Sequence, residues 1–392
     1  MRYKVKAIII AATLIILLSC GGIAAFASDG EAELNENINS IISGLDLSEL
    51  DEYLNSHRDD FLFSFGDNAQ EIISYLINGN LGINYPSYIG ELCSVLFGNV
   101  LSLVPAFAQI VGIAILCALV KSAEGGVISS STSKVVRIAC YALIITIITA
   151  MLTGIVSSAL ESINVIRTQV EIITPILVTL TVLTGGSNAG AIYQPSALFI
   201  SGGAVEIVSG IIFPATIAIV VINFISKLAP DISFSGTSKL IKSILKWVIG
   251  ITLAVFSLFI TVQSTASSLF DGIFFKATKY LVGSSVPIVG NFLSAGVDMI
   301  VAACSVIKSS VGICGIVLLI SAVAPPIILF AAFSLILKLV AAVVQPLGEN
   351  TLYSMFSDLA TDIEYFIAGL CTVAFMYALV VMLIISSATN FL

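Results

Sequence analysis

From residue 92 onward the chain alternates long apolar runs with short polar intervals. The runs are Leu92–Val120, Val135–Leu160, Ile172–Thr184, Ser196–Ile225, Trp247–Leu269, Val286–Ile307, Val311–Val344 and Ile363–Ile385. About 20 apolar residues in a helix cross a hydrocarbon core about 30 Å thick. Ile172–Thr184 is therefore short for a span, and Val311–Val344 is long for one straight helix. The pattern predicts an all-α, polytopic membrane protein with six to nine membrane segments.

The first 91 residues follow a different pattern. Arg2, Lys4 and Lys6 precede the apolar run Ala7–Leu18, and Ala25-Phe26-Ala27 offers the small residues that signal peptidase needs. Residues 1–27 read as a signal peptide cleaved after Ala27. Two alternatives stay open: a lipidated Cys20 in Leu17-Leu18-Ser19-Cys20, and a retained first helix. Residues 28–91 are polar with helical spacing in places (Ile38, Ile41, Ile42, Leu45; then Leu47, Leu50, Leu54), which predicts short amphipathic helices outside the membrane. Tyr85-Pro86-Ser87 reads as the turn before the first span, and 92–392 as the transmembrane domain.

Lys and Arg set the orientation. With the amino terminus exported, the first span runs inward to Lys121, Lys134 and Arg137. The second cluster, Lys227, Lys239, Lys242 and Lys246, belongs on the same side, so an even number of crossings separates the two. Two arrangements satisfy this: a re-entrant Ile172–Thr184 with a later hairpin missing, or full crossings with Ser196–Ile225 folded as a hairpin. The acidic stretch Gly348–Glu364 is expected on the outer side, leaving Leu392 inside. Lys239, Lys242 and Lys246 share one face of a short amphipathic helix ending at Trp247, suited to lying at the membrane interface or, as the preferred reading, to anchoring the span that follows on the cytoplasmic side.

Proline and charge mark candidate special sites within the apolar runs. Pro214, Pro325 and Pro326 each remove a backbone donor and are candidate helix breaks. Glu206, Asp298 and Lys338 are ionisable groups among apolar neighbours, where each costs roughly 2.5 to 3.5 kcal/mol at a helix centre. They form a candidate intramembrane polar site, with structural ion pairing or access to water at the interface as the alternative. Small neighbours (Gly202, Gly203, Ala204; Ala295, Gly296) also suit close helix packing or homo-oligomerisation.

Composition narrows the chemistry. The chain has 58% hydrophobic and 10% charged residues and a mean hydropathy of +1.10. That is too little charge to cover a water-soluble surface of this size. Of the 24 acidic residues, 13 lie between Asp29 and Glu91, which makes that segment one acidic region. No basic stripe with interleaved aromatics exists to track nucleic acid. Seven cysteines lack a paired spacing and read as small core residues, and the one histidine, His57, gives little from which to build a metal site or a His-driven triad. Gly185-Gly186-Ser187-Asn188-Ala189-Gly190 lacks the ending of a phosphate-binding loop. No enzyme, metal or cofactor is expected.

An echo runs through the middle. Thr132-Ser133-Lys134-Val135-Val136-Arg137 is repeated as Thr237-Ser238-Lys239-Leu240-Ile241-Lys242, and the segment 214–227 resembles 326–338. The pairs suggest repeats at about 132–228 and 237–345, parallel or inverted according to the crossing count.

Asp271-Gly272-Ile273, Lys276-Ala277-Thr278-Lys279, Val286-Pro287-Ile288-Val289-Gly290, Asp298 and the stretch from Lys308 to Gly315 together resemble the stage III sporulation protein AE family of endospore-forming Firmicutes. Lys338-Leu339-Val340-Ala341-Ala342 followed by Gln345-Pro346-Leu347-Gly348 strengthens the likeness. The resemblance implies a multi-pass protein of the mother-cell membrane around the forespore. It would belong to the channel complex built from the other stage III sporulation A proteins and forespore protein Q, supporting forespore development. It brings no catalytic residues with it. A scaffold or conduit subunit is the expected role, and a self-sufficient secondary transporter of ions or small solutes is the alternative.

Overall fold

In a bilayer an apolar segment satisfies its backbone polar groups most simply as a helix, and helix accounts for nearly all of the structure. The computed structural model describes residues 31–56, 68–77, 85–124, 129–184, 189–228, 234–285 and 289–387, with the backbone path alone at 31–35, 85–97, 99–100, 189–192, 266–285 and 289–298. The signal segment with Cys20 and Ala27, His57, and most of the glycine loop at 185–190 lie outside the described residues.

Three short helices, α1 (Glu31–Gly44), α2 (Ser48–Ser56) and α3 (Ala69–Ile77), precede the long ones. Asp46 accepts hydrogen bonds from the Ser48 hydroxyl and backbone N–H at the start of α2, which holds its carboxyl below the ordinary aspartate range. Asp51 of α2 accepts from the N–H of Ala69, tying the start of α3 to α2 at 2.6 Å. These helices bury Ile38, Ile42, Leu47, Leu50, Tyr53, Ile72 and Ile73 in the same apolar core as the long helices. α1 and α3 lie on the long helix Val289–Val344, and α2 on the long helix Ser130–Leu183.

The long helices are α4 (Tyr85–Ser122), α5 (Ser130–Leu183), α6 (Ala189–Leu198), α7 (Phe213–Leu228), α8 (Ser235–Ser285), α9 (Val289–Val344), α10 (Asn350–Asp362) and α11 (Glu364–Ser386). Two π turns, Phe199–Ala204 and Val208–Ile212, join α6 to α7 around the single α turn Val205–Ile207. Six helical segments are long and apolar enough to cross a membrane. The helices that carry them contain the uncharged stretches 92–120, 138–160, 207–226, 247–270, 309–337 and 365–386, each of at least 20 residues. That is about 30 Å of helix. α9 is central, packing against α4, α5, α8, α10 and α11.

Several expectations change here. Val135–Leu160 and Ile172–Thr184 are not separate segments: α5 runs through both without interruption. Ser196–Ile225 is a single pass with π turns, not a hairpin. Val311–Val344 continues α9, so Pro325 and Pro326 do not break it. Helices α4, α5, α8, α10 and α11 pack around α9, and such packing offsets backbone bonds lost at proline within a bundle. Pro214 sits in the first turn of α7, immediately after a π turn, where the missing donor produces a shift of helical register instead of a break. Pro86 lies in the first turn of α4 and not in a turn before it. Lys239, Lys242 and Lys246 belong to the continuous α8 rather than to a short separate segment.

Two crossings, α5 and the α6–α7 pass, therefore separate the basic clusters. The echo falls at equivalent places: Thr132 and Thr237 lie in the first turns of α5 and α8, while 214–227 and 326–338 lie in the helices that return from them. Both segments consequently run in the same direction.

Candidate functional site

Helix α10 carries acidic groups into the end of the bundle where the lysines gather. α9 ends in a short 3-10 turn, Gln345–Leu347. Gly348 follows at φ 80°, a left-handed conformation that favours glycine and turns the chain into α10. Ser354, Asp358 and Asp362 then recur at intervals of four along one helix face.

Each acidic group meets a different part of the bundle. Glu349 is 1% exposed; its Oε1 lies 3.7 Å from Lys121 Nζ at the end of α4. Tyr141 of α5 donates its hydroxyl to the other carboxylate oxygen at 3.1 Å. Lys121 also donates to the Gly348 carbonyl at 2.6 Å. Lys227 of α7 pairs with Asp358 at 3.3 Å and donates to the Ser354 hydroxyl at 2.8 Å. Asp362 is fully buried, paired with Lys242 of α8 and accepting a hydrogen bond from the Asn223 amide of α7. One short helix and the two residues before it thereby touch α4, α5, α7 and α8 through charged or polar contacts.

This geometry corrects the orientation derived from sequence. The acidic stretch Gly348–Glu364 does not face away from the basic clusters; it supplies their counter-charges at the same end of the bundle. Acidic residues contribute little to membrane orientation, which Lys and Arg govern. α11 ends at the other end of the bundle, where Ser387 accepts from Lys308 of α9 at 3.2 Å. The carboxyl-terminal helix thus finishes away from the lysine turns, opposite to the expectation for Leu392, which itself lies outside the described residues. Back at the lysine end, just after Lys121, Glu124 accepts from Ser133 at 2.9 Å, and that bond, followed by one from Ser130, holds its carboxyl below the usual glutamate range.

The residues singled out from sequence are dispersed. Lys338 pairs with Glu364 at 3.4 Å, both half-exposed. Glu206 is exposed between the two π turns, its carboxylate lying over Gly210. It stands 21 residues before Lys227, about 30 Å along the helix, and so closes the far end of the uncharged stretch 207–226. The structure does not bring Glu206 and Lys338 together, and the Asp298 side chain lies outside the described residues. Lys239 and Lys246 are exposed while Lys242 turns to Asp362. Among the described residues, no group of three or more His, Cys, Asp or Glu is placed to hold a metal ion. A cavity of about 480 Å³ lies outside the six long segments, between α1 and α3, lined by Asn39, Ser43, Gln70, Glu71 and Ser74 among others.

Sequence reading missed Glu349, Asp358 and Asp362 as pairing partners. The four-residue spacing of Ser354, Asp358 and Asp362 was the available signal.

The fold is that of an all-α, multi-pass membrane protein whose buried charges tie its own helices together. The model of the stage III sporulation protein AE family matches residues 68–388. The chain belongs to that family. It is also similar to stage III sporulation protein AE of Bacillus subtilis (strain 168), 22% identical over 345 residues that cover 88% of this chain and 86% of the relative. No solved structure matches. Family membership ties the chain to sporulation.

Proposed function

We propose that this chain is a scaffold or conduit subunit of the sporulation channel complex linking mother cell and forespore, held in the mother-cell membrane around the forespore. Its partners on this reading are the other stage III sporulation A proteins and forespore protein Q. The observation that carries the scaffold reading is the use of charge at the lysine end. Lys121, Lys227 and Lys242 are each engaged by a carboxylate of the α10 segment, as structural clasps between helices rather than as lining for a path. A rigid multi-helix body with neutralised internal charge suits holding partners in register.

One observation favours the transporter reading instead. Glu206 sits between two π turns, and such turns accompany functional sites in many helices. Reconstitution decides between the two. Purified chain in liposomes, inserted in one orientation, is expected to give no flux of small ions or metabolites at any protein density. Flux from the chain alone, abolished by Glu206→Gln or Asp298→Asn, would replace the scaffold with a transporter.

A further inference from the structure

Two fully buried polar atoms, Gln169 Oε1 and the Tyr377 hydroxyl, have no protein partner. Gln169 of α5 donates its amide to the Tyr53 hydroxyl of α2 at 2.9 Å and to the Leu318 carbonyl of α9 at 3.0 Å. Both amide hydrogens are thereby used, which fixes the orientation of the group and leaves Oε1 as an acceptor with no donor. The Tyr377 hydroxyl of α11 is likewise buried without a hydrogen-bond partner. It lies against Gly315: a Cβ there would stand 3.0 Å from the hydroxyl and 3.2 Å from Ile173 Cγ2.

The register of α5 and α9 relates the two atoms. Gln169 and Leu318 form one layer of contact, and Ile173 and Gly315 form the next. Adjacent layers are about 5.4 Å apart along a helix, a distance that one water with two hydrogen bonds of about 2.8 Å each can span. Gly315 lets the hydroxyl lie against α9, since a Cβ there would press on it at 3.0 Å. Leaving both groups unmade is costly, and buried waters are the usual remedy at polar sites of this kind.

We propose that a buried water bridges Gln169 Oε1 and the Tyr377 hydroxyl, joining Tyr53, Gln169, the Leu318 carbonyl and Tyr377 into one hydrogen-bonded node that latches α2 into the bundle. The acidic amino-terminal helices are then mechanically coupled to the junction of α5, α9 and α11. A partner that grips the amino-terminal helices acts on the long helices through this node. The proposal does not depend on whether the chain conducts.

Tyr377→Phe, which removes one oxygen, gives a test by sign in the full chain held in nanodiscs. If the hydroxyl has no partner, the substitution raises the Tm, because a buried unsatisfied group is lost. If a water bridges it, the Tm falls by roughly 2 °C, and backbone hydrogen exchange in α2 quickens by about fivefold although the substitution is on α11. Tyr377→Phe combined with Gln169→Leu should cost less than the sum of the two. A raised or unchanged Tm overturns the water bridge, and a lowered Tm with unchanged exchange in α2 overturns the latch. Should Gln169→Leu fail to fold, Tyr53→Phe takes its place in the cycle with the same expected shortfall from additivity.

Discussion

The two ends of the bundle are fastened by different chemistry. At the lysine end, α10 and its N-cap residue insert Glu349, Asp358 and Asp362 among cations from three other helices. At the far end the contacts between helices are mostly neutral: Gln169 with Tyr53 and Leu318, Ser196 with Gln263, and Lys308 with the Ser387 hydroxyl. The difference has a physical origin. Ionic pairs with a buried member are strong only as pairs, because each desolvated charge left alone costs far more than it contributes. Neutral hydrogen bonds contribute about 1 kcal/mol each and fail independently. The lysine end should therefore break abruptly when one member is removed, and the far end by small steps.

The largest effect is expected at Asp362. Lys242→Met leaves a fully buried carboxylate with Asn223 as its remaining neighbour in the cluster and should destabilise the protein by about 3 to 5 kcal/mol, read from detergent-unfolding midpoints. Adding Asp362→Leu should restore most of that loss, since replacing both charges removes the desolvation penalty as well as the attraction. Lys121→Met should cost about 2 kcal/mol. It leaves Glu349 with Tyr141, but Lys121 is already 40% exposed and its loss is partly compensated by solvent. At the far end, Ser196→Ala should cost about 1 kcal/mol, and its effect should add to that of Lys121→Met because the two sites share no partner. The smallest effect belongs to Arg167→Ala. Its pair with Glu171 is a surface contact one turn along α5, with both members about half-exposed, so the change should stay below about 0.5 kcal/mol.

The fold class was legible because hydropathy reports the solvent around a helix, and the uncharged stretches are long enough to cross a bilayer. The same property concealed the true length of the helices. Arg167, Gln169 and Glu171 interrupt an apolar run, yet none of them stops a helix, and α5 passes through all three. Lys308 interrupts α9 in the same way and is buried. Polar residues ended the apolar runs without ending the elements. The clasp was less legible because its pairs join residues more than a hundred positions apart, and only tertiary packing shows that Glu349 meets Lys121 or that Asp362 meets Lys242. Glu206 and Lys338 attracted notice as isolated charges, but each lies at the edge of an uncharged stretch, where charge reaches water, and Lys338 also pairs with Glu364.

The same-side placement of α10 and the lysine turns is tested most directly by labelling single cysteines with a membrane-impermeant maleimide in oriented vesicles. The background is a variant lacking the seven native cysteines. Ser130→Cys, Gly236→Cys and Asn350→Cys, all at exposed positions, should react from one face of the membrane, and Ser386→Cys from the other. Reaction of Asn350→Cys from the same face as Ser386→Cys, with Ser130→Cys and Gly236→Cys on the opposite face, would contradict the clasp and the six-crossing arrangement built around it.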